Sequence, residues 1–277
     1  MYINFFIVVS KTVVQVFSTM SQDKFSQNLE RESGQPSEIC KLLIGNLDNK
    51  NPISAMGGTP LHNAARNGSY KIFELIFENV EEKNPPNNHG TTPLHIAAIE
   101  GHYDICELII ASIEIHQNKN PPDANGMTPL HNAAGYGHFE IFKLIADIAT
   151  EKNPKSNIGA TPLHNASGNG HFEICKLIIN STIDKNPKCN LGVTPLYNAA
   201  CYGHLQICRL IIENVLDKNP RTNDRTTPLH IAAMNGHFEV CKLIIANVLD
   251  RNPINMVGMT PQAYAHQYFN NFNQWFF

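Results

Sequence analysis

The sequence has almost no excess of charge of one sign. Its 277 residues include 21 lysines and arginines against 24 aspartates and glutamates, which gives a formal net charge of −3 at pH 7. Proteins that bind nucleic acids or anionic membranes usually carry a basic excess or a basic patch. We therefore expect no nucleic-acid partner, and we expect no membrane partner on grounds of charge.

The sequence also has no uninterrupted apolar run of membrane-spanning length. The most apolar segment, residues 1–20, is divided by Ser10, Lys11 and Thr12, whereas a spanning helix needs about 20 mostly apolar residues. It lacks the basic start and the small-residue cleavage site of a signal peptide. We predict that residues 1–35 form a disordered tail. Two alternatives stay open: residues 1–20 anchor a membrane-tethered protein, or translation starts at Met20.

Motifs of the common enzyme classes are absent as well. The sequence contains no glycine-rich phosphate-binding loop, no nucleophile motif and no paired carboxylates on one face of a predicted helix. We therefore predict that the protein is not an enzyme and uses no cofactor.

What the sequence does contain is one unit repeated along most of its length. The unit is clearest in residues 128–145, with the sequence TPLHNAAGYGHFEIFKLI. Close copies begin at Thr59, Thr92, Thr161, Thr194 and Thr227, and a diverged copy begins at Thr260. The start-to-start interval is 33 residues, except for one of 36 residues between Thr92 and Thr128. A fixed period in this range is typical of solenoid proteins.

Each unit has the features of two short helices. Thr128 suits a helix N-cap, and Pro129 suits the first helical position because its missing N–H would have no partner there. Gly137 suits the left-handed residue that ends a helix. An apolar stripe at helical spacing follows: Ile141, Phe142, Leu144 and Ile145. One such pair of helices cannot bury its own apolar face, so the copies must stack.

The motif Thr-Pro-Leu-His-x-Ala at this period resembles the ankyrin-repeat family over residues 36–277. The resemblance implies an all-α ankyrin-repeat solenoid of stacked helix-turn-helix pairs with hairpin-like loops. We expect a half repeat at residues 36–58, six full repeats at residues 59–259 and a capping half repeat at residues 260–277. The resemblance further implies a non-enzymatic scaffold that binds a protein partner, which the sequence does not identify. We expect this scaffold to be monomeric.

The seven cysteines do not form a disulfide pattern. Five of them stand at one repeat position, which Phe73 and Phe142 occupy in other copies: Cys40, Cys106, Cys175, Cys208 and Cys241. A position that accepts either residue type is a core position. Equivalent positions in neighbouring copies would lie ~10 Å apart, too far for a disulfide. The odd count fits a reducing compartment, so we expect a cytoplasmic location.

Ten of the thirteen histidines are repeat residues, following either Pro-Leu or Gly. Tyr197 replaces the first type once and Ser69 the second once, which favours hydrogen bonding over metal ligation. The best metal candidate combines Cys189, Cys201, His204 and Cys208. Its spacing is irregular for zinc and Cys208 is a core position, so we predict no metal site.

In ankyrin-repeat proteins the partner-binding groove is formed by loop tips and first helices. Mapped onto this chain, the variable positions of that groove are Arg66, Ile99, Met127, Tyr136, Ile158, Leu191, Val193, Tyr202, Asp224, Arg225 and Met234. The run of aromatic and aliphatic residues among them indicates the centre of a binding site.

Two further features concern charge near this groove. Lys155, Lys188 and Arg221 stand at one repeat position, and such a basic stripe would favour an acidic stretch on the partner. Arg225 stands where the six sister loops carry glycine, two residues before the threonine. The glycines predict a left-handed backbone there, which strains any other residue. Either a function or drift in a tolerant loop explains Arg225.

Overall fold

The computed structural model describes residues 51–113 and 118–268. The predicted tail with its alternative anchor at residues 1–20, Cys40, most of the first half repeat and the last nine residues of the capping half repeat lie outside the described residues. The chain divides between Ala124 and Asn125 into two units, and each is described by itself.

Within the described ranges all regular structure is helical. The first unit contains α1 (Pro60–Asn67), α2 (Tyr70–Glu78), α3 (Pro93–Glu100) and α4 (Tyr103–Ser112). The second unit contains α5 (Pro129–Tyr136), α6 (Phe139–Ala146), α7 (Pro162–Asn169), α8 (Phe172–Ser181), α9 (Pro195–Cys201), α10 (Leu205–Asn214), α11 (Pro228–Met234), α12 (Phe238–Ile245) and α13 (Pro261–Tyr268). Among these helices none is long and apolar enough to cross a membrane.

The helices pack as the repeat pattern predicts. In the first unit α1 packs on α2 and α3, and α4 packs on α2 and α3. In the second unit the first helices of successive copies form one row (α5, α7, α9, α11 and α13), and their partners α6, α8, α10 and α12 form a second row behind it. The all-α ankyrin-repeat solenoid is therefore confirmed as the fold class.

The first helices begin and end as the sequence predicts. In α5, Thr128 is the N-cap and Pro129 the first helical residue, and the helix stops at Gly137, whose φ of 79° is left-handed. The first helices are also capped by an asparagine ten residues earlier in the chain. At the start of α7, the side-chain oxygen of Asn153 accepts the backbone N–H of Leu163 at 3.0 Å. Equivalent asparagines do the same for α3, α9, α11 and α13. The asparagine before each loop proline therefore satisfies an N–H that the helix start would otherwise leave unpaired.

The core lies between the two rows of helices. One residue of the apolar stripe predicted for α6 does not belong to this core. Ile141, Phe142 and Ile145 are at most 2% exposed, whereas Leu144 is only half-buried. At about 100° per residue, the buried arc runs from Ile141 through Ile145 and Phe142 to Ala146, and Leu144 lies about 60° outside it. The stripe therefore consists of Ile141, Phe142, Ile145 and Ala146, and Leu144 lies at its rim.

Hairpin-like loops join successive copies and are tied to each other. In the loop before Thr161, the N–H of Gly159 donates to the carbonyl oxygen of Ser156 at 2.8 Å. The N–H of Asn190 in the next loop donates to the carbonyl oxygen of Ile158 at 2.9 Å, and that of Asn223 to Leu191 at 3.0 Å. The loop tips of the second unit therefore stand side by side at a fixed register.

Candidate partner-binding surface

Four of the histidines that follow Pro-Leu join the first helix of one copy to the loop of the next. His131 Nδ1 lies 3.1 Å from the N–H of Thr128, and His131 Nε2 lies 3.1 Å from the carbonyl oxygen of Ala160. Because Nδ1 accepts from the backbone, Nε2 carries the proton and donates it to the carbonyl. His62, His164 and His230 make the same pair of contacts. These hydrogen bonds give the histidines the structural role that the sequence predicted.

Burial keeps the rings of His62, His164 and His230 neutral. Desolvation lowers the pKa of His62 and His230, and it lowers the pKa of His164 to about 4. A charged ring would lose hydration and would also lose the lone pair that accepts from the threonine N–H. Tyr197 stands in the place of the histidine in the copy that begins at Thr194, and α9 accordingly lacks the reciprocal threonine–histidine cap.

Four of the histidines that follow Gly bind the preceding copy instead. His171 Nε2 donates to the carbonyl oxygen of Gly135 at 3.0 Å, and His204 Nε2 to that of Gly168 at 3.0 Å. The ring of His204 also lies directly under Gly170, where a Cβ would come within 2.8 Å of it. The ends of the first helices are thus held in place from the next copy, which fixes the residues exposed beside them.

Four of the predicted groove residues, two aliphatic and two aromatic, are exposed on the second unit. Ile158 and Leu191 at adjacent loop tips are 66% and 69% exposed, and Tyr136 and Tyr202 at the ends of first helices are 60% and 64% exposed. The Tyr136 ring stacks on His138 with centroids 6.4 Å apart, and the Tyr202 ring lies 6.4 Å from that of His204. The two tyrosine rings are therefore oriented before any partner binds.

One residue that the sequence analysis omitted is exposed at an equivalent loop position. Val257 is 75% exposed and occupies the same loop position as Ile158 and Leu191, three residues before the threonine. Counting back from the diverged Thr260 would have found it. We call Ile158, Leu191, Val257, Tyr136 and Tyr202 the tip face.

The remaining predicted groove residues divide into three groups. Met127, Val193 and Met234 of the second unit are half-buried, so they support the neighbouring loops and helices more than they offer contact area. Asp224 and Arg225 are exposed. Arg66, which is exposed, and Ile99, which is half-buried, belong to the first unit.

The loop of residues 222–226 confirms the predicted left-handed position. Arg225 has a φ of 63° and is the one non-glycine residue with positive φ in the part of the chain that the structure describes. Asp224 organises this loop, because its carboxylate accepts from the N–H of Thr226 at 3.1 Å and also contacts the Thr222 hydroxyl. These hydrogen bonds, that of Thr222 foremost, lower the pKa of Asp224.

The predicted basic stripe lies on the exposed side of three successive loops. Lys155, Lys188 and Arg221 are all exposed. Lys188 Nζ donates to the carbonyl oxygen of Arg221 at 3.0 Å, which orients the lysine without neutralising it. Arg221 forms an ion pair with Asp250 at 3.7 Å. The positive charge of the stripe therefore rests mainly on the two lysines.

The cysteines at the shared repeat position lie in the core. Cys106, Cys175, Cys208 and Cys241 are at most 1% exposed, and burial raises the pKa of each thiol to about 12. In residues 51–113 and 118–268 no three or more ligating side chains come close enough together to hold a metal ion. The metal candidate considered in the sequence, Cys189, Cys201, His204 and Cys208, is therefore not assembled as a ligand set. The sulfur of Cys201 instead contacts the side-chain amide of Asn235 at 3.4 Å.

Comparison with known families agrees with this architecture. A family model described as ankyrin repeats in three copies matches residues 31–123, 113–189, 150–222, 183–257 and 214–272. The chain belongs to the ankyrin-repeat family. No curated protein matches the sequence. Ankyrin repeats are generally protein–protein interaction modules, and ankyrin-repeat proteins are typically scaffolds without enzymatic activity.

Proposed function

We propose that this ankyrin-repeat protein is a scaffold that binds a protein partner through the tip face of its second unit. The observation that carries the proposal is the exposure of Ile158, Leu191, Tyr136 and Tyr202, each at least 60% accessible, on loops and helix ends held rigidly by inter-repeat hydrogen bonds. Rigid side chains lose little entropy on binding, and tyrosine is enriched among interface hot spots.

The charges beside the tip face favour one kind of partner. Lys155 and Lys188 are exposed in the same loops that present Ile158 and Leu191. A partner segment with apolar side chains over the tips and acidic residues toward the lysines would complement both features. Asp224 and Arg225 extend the polar rim, and they add no net charge.

The proposal is tested by affinity purification from the native cell with the wild type and two variants. Tyr136→Ala with Tyr202→Ala removes two anchors, and each such anchor typically contributes ~2 kcal/mol or more to an interface. Glu140→Ala with Glu173→Ala changes two exposed residues of α6 and α8 and serves as the matched control. We expect the same protein to be recovered by the wild type and the control and lost with the tyrosine variant.

A second measurement separates the charges from the apolar anchors. Lys155→Glu with Lys188→Glu should slow association with the recovered partner and reduce its dependence on salt, because both lysines lie at the rim. If the tyrosine variant and the lysine variant each recover as much partner as the wild type does, the binding face lies elsewhere on the chain.

A further inference from the structure

The last second helix of the second unit, α12, lacks part of the cover that the earlier ones have. Ile179 of α8 and Ile212 of α10 are at most 1% exposed, and a following second helix packs against each of these helices. The equivalent Ile245 of α12 is only half-buried. Among the described residues no second helix follows α12, so Ile245 is left partly open to solvent.

The loop after α12 is open on the same side. A Cβ built on Gly159 or Gly192 would lie 2.8 Å from the side-chain oxygen of an asparagine in the next loop, Asn190 or Asn223. A Cβ built on Gly258 would meet nothing within 4 Å. The side of this loop that faces away from the earlier copies is therefore uncovered by the part of the chain that the structure describes.

Ile254 adds an apolar side chain to this open side. It occupies the loop position of Lys188 and Arg221, and it is 57% exposed. Lys188 Nζ reaches the carbonyl oxygen of Arg221 in the next loop, and Arg221 in turn reaches Asp250, which precedes the loop after that. Side chains at this position are thus directed toward the following copy, and Ile254 points away from the array. We call Ile245, Ile254 and Gly258 the end face.

The chain itself supplies a segment that suits the end face. Residues 269–277, which lie outside the described residues, follow α13 directly and have the sequence FNNFNQWFF, in which five residues are aromatic and none is charged. They do not continue the repeat, because Asn273 and Gln274 stand where α8 carries Ile174 and Cys175, both at most 1% exposed. An aromatic side chain buries about 150–250 Å² when it packs. The segment therefore has apolar area to bury and no repeat core of its own to bury it in.

The segment is also long enough and close enough to reach the end face. α13 packs on α11, and its eight residues span ~12 Å. Nine extended residues span up to ~30 Å, so the segment can return along α13 as far as the loop of residues 253–258. Because it is attached to α13, its effective concentration at the end face is on the order of millimolar. A second copy of the chain would have to compete with that concentration.

We propose that residues 269–277 pack on the end face through their aromatic side chains and close the array where a further repeat would stack. The contact is apolar and lies within one chain. A charged side chain in place of Ile254 therefore weakens it, because a carboxylate loses hydration against aromatic rings. The end face shares no residue with the tip face, so this contact leaves the tip face open.

The test uses the single tryptophan of the sequence, Trp275, whose fluorescence in the full chain reports on this segment alone. A synthetic peptide of residues 269–277 gives the reference values for a fully hydrated tryptophan. We expect the full chain to emit at a shorter wavelength than the peptide. We also expect acrylamide to quench its emission at least threefold less strongly.

Ile254→Asp should move the emission and the quenching toward the values of the peptide. It should leave the far-ultraviolet circular dichroism unchanged, because the side chain is 57% exposed. Leu191→Asp, at a loop tip where the leucine is 69% exposed, is the matched control and should change neither fluorescence value.

Three results would overturn the proposal: a Trp275 as accessible in the full chain as in the peptide, shielding that survives Ile254→Asp, or shielding that is lost equally with Leu191→Asp. Shielding that decreases when the protein is diluted would overturn it as well, since the segment would then be packing on a second copy of the chain.

Discussion

The hydroxyl of Thr222 lies 2.8 Å from the carbonyl oxygen of Thr226. In four other loops the equivalent carbonyl oxygen, that of Thr91, Ala160, Val193 or Met259, accepts from a histidine of the preceding copy. The copy before Thr226 carries Tyr197 instead of histidine. Thr222, whose hydroxyl proton is shared with the Asp224 carboxylate, therefore supplies from within the loop a contact that elsewhere comes from the neighbouring repeat.

This exchange predicts that Thr222 and Tyr197 are energetically coupled. Thr222→Val should lower the free energy of unfolding by about 1–2 kcal/mol, since it removes a hydrogen bond from a partly buried carbonyl. The same change should cost less in a Tyr197→His background, where the histidine can donate to Thr226. Urea denaturation of the two single variants and the double variant measures the coupling. Costs that add within about 0.3–0.5 kcal/mol would show that the residues act independently.

Ser156 provides the control for this cycle. It occupies the position of Thr222 in a loop whose carbonyl is already bound by His131, and its buried hydroxyl oxygen has no hydrogen-bond partner among the described residues. We therefore expect Ser156→Ala to leave stability unchanged or to raise it slightly.

Arg225 is expected to cost stability because of its left-handed backbone. Arg225→Gly should raise the free energy of unfolding by about 1–2 kcal/mol. Gly258→Arg is the matched reverse change, since Gly258 has a φ of 79° and a Cβ there would meet nothing within 4 Å. It should cost a similar amount. Thermal and urea denaturation of both variants measures the two effects.

The same variant decides between the two explanations of Arg225. If Arg225 contributes to partner binding, Arg225→Gly melts higher and recovers less partner in the affinity purification. If Arg225 reflects drift, the variant melts higher and recovers as much partner as the wild type. A variant that melts no higher would contradict the strain argument itself.

Burial predicts a difference between adjacent leucine and isoleucine positions in α6. Ile145 is fully buried and Leu144 is half-buried. Ile145→Ala should therefore cost about 2–5 kcal/mol, because it leaves a cavity between packed helices. Leu144→Ala should cost clearly less, because the rim can relax and water can reach it. Equal losses in urea denaturation would mean that Leu144 belongs to the core after all.

The buried histidines predict that stability falls in mild acid. Burial lowers the folded-state pKa of His62, His164 and His230 below the ordinary value of 6.5. The unfolded chain therefore binds more protons below pH 6.5, so the stabilising contribution is complete above that pH and is lost as the pH falls toward 4. The pKa of about 4 for His164 corresponds to about 3 kcal/mol lost at the acid limit.

Urea denaturation between pH 7.5 and 5 measures this effect. His164→Tyr, which introduces the residue found at the same position in the next copy, is the control and should show a shallower decrease with pH. A wild-type stability that stays constant from pH 7.5 to 5 would contradict the buried-histidine argument.

Thiol reactivity is expected to separate core cysteines from the others. Burial raises the pKa of Cys106, Cys175, Cys208 and Cys241 to about 12, so these thiols carry almost no reactive thiolate near neutral pH. An aromatic disulfide reagent should modify them only on unfolding. Cys201 should react in the native protein because it is partly exposed, although burial raises its pKa as well. Mass spectrometry of the modified peptides identifies the sites. Native reaction of Cys208 at the rate of Cys201 would contradict its burial.

Much of the fold follows from local patterns in the sequence. Thr128, Pro129 and Gly137 specify the start and end of a first helix through their own backbone chemistry, without reference to distant residues. The period of the repeat specifies that such units stack. The series of loop glycines likewise predicted the left-handed backbone at Arg225, because a turn conformation depends on the few residues that form it.

The sequence by itself thus determined the helix pairs, their caps, the stacking and most of the core of this ankyrin-repeat protein. Only the tertiary structure decided which apolar residues reach solvent: Ile158 and Leu191 are exposed where Met127 and Val193 are not, and Ile183, Leu216 and Leu249 are fully exposed. Only the structure showed that Thr222 donates to the carbonyl oxygen of Thr226. In other copies a histidine makes this contact, and here Tyr197 stands at the histidine position, 25 residues before Thr222. The reason is physical: a helix cap depends on neighbours in the chain, whereas exposure and inter-repeat hydrogen bonds depend on the surface of the adjoining repeat.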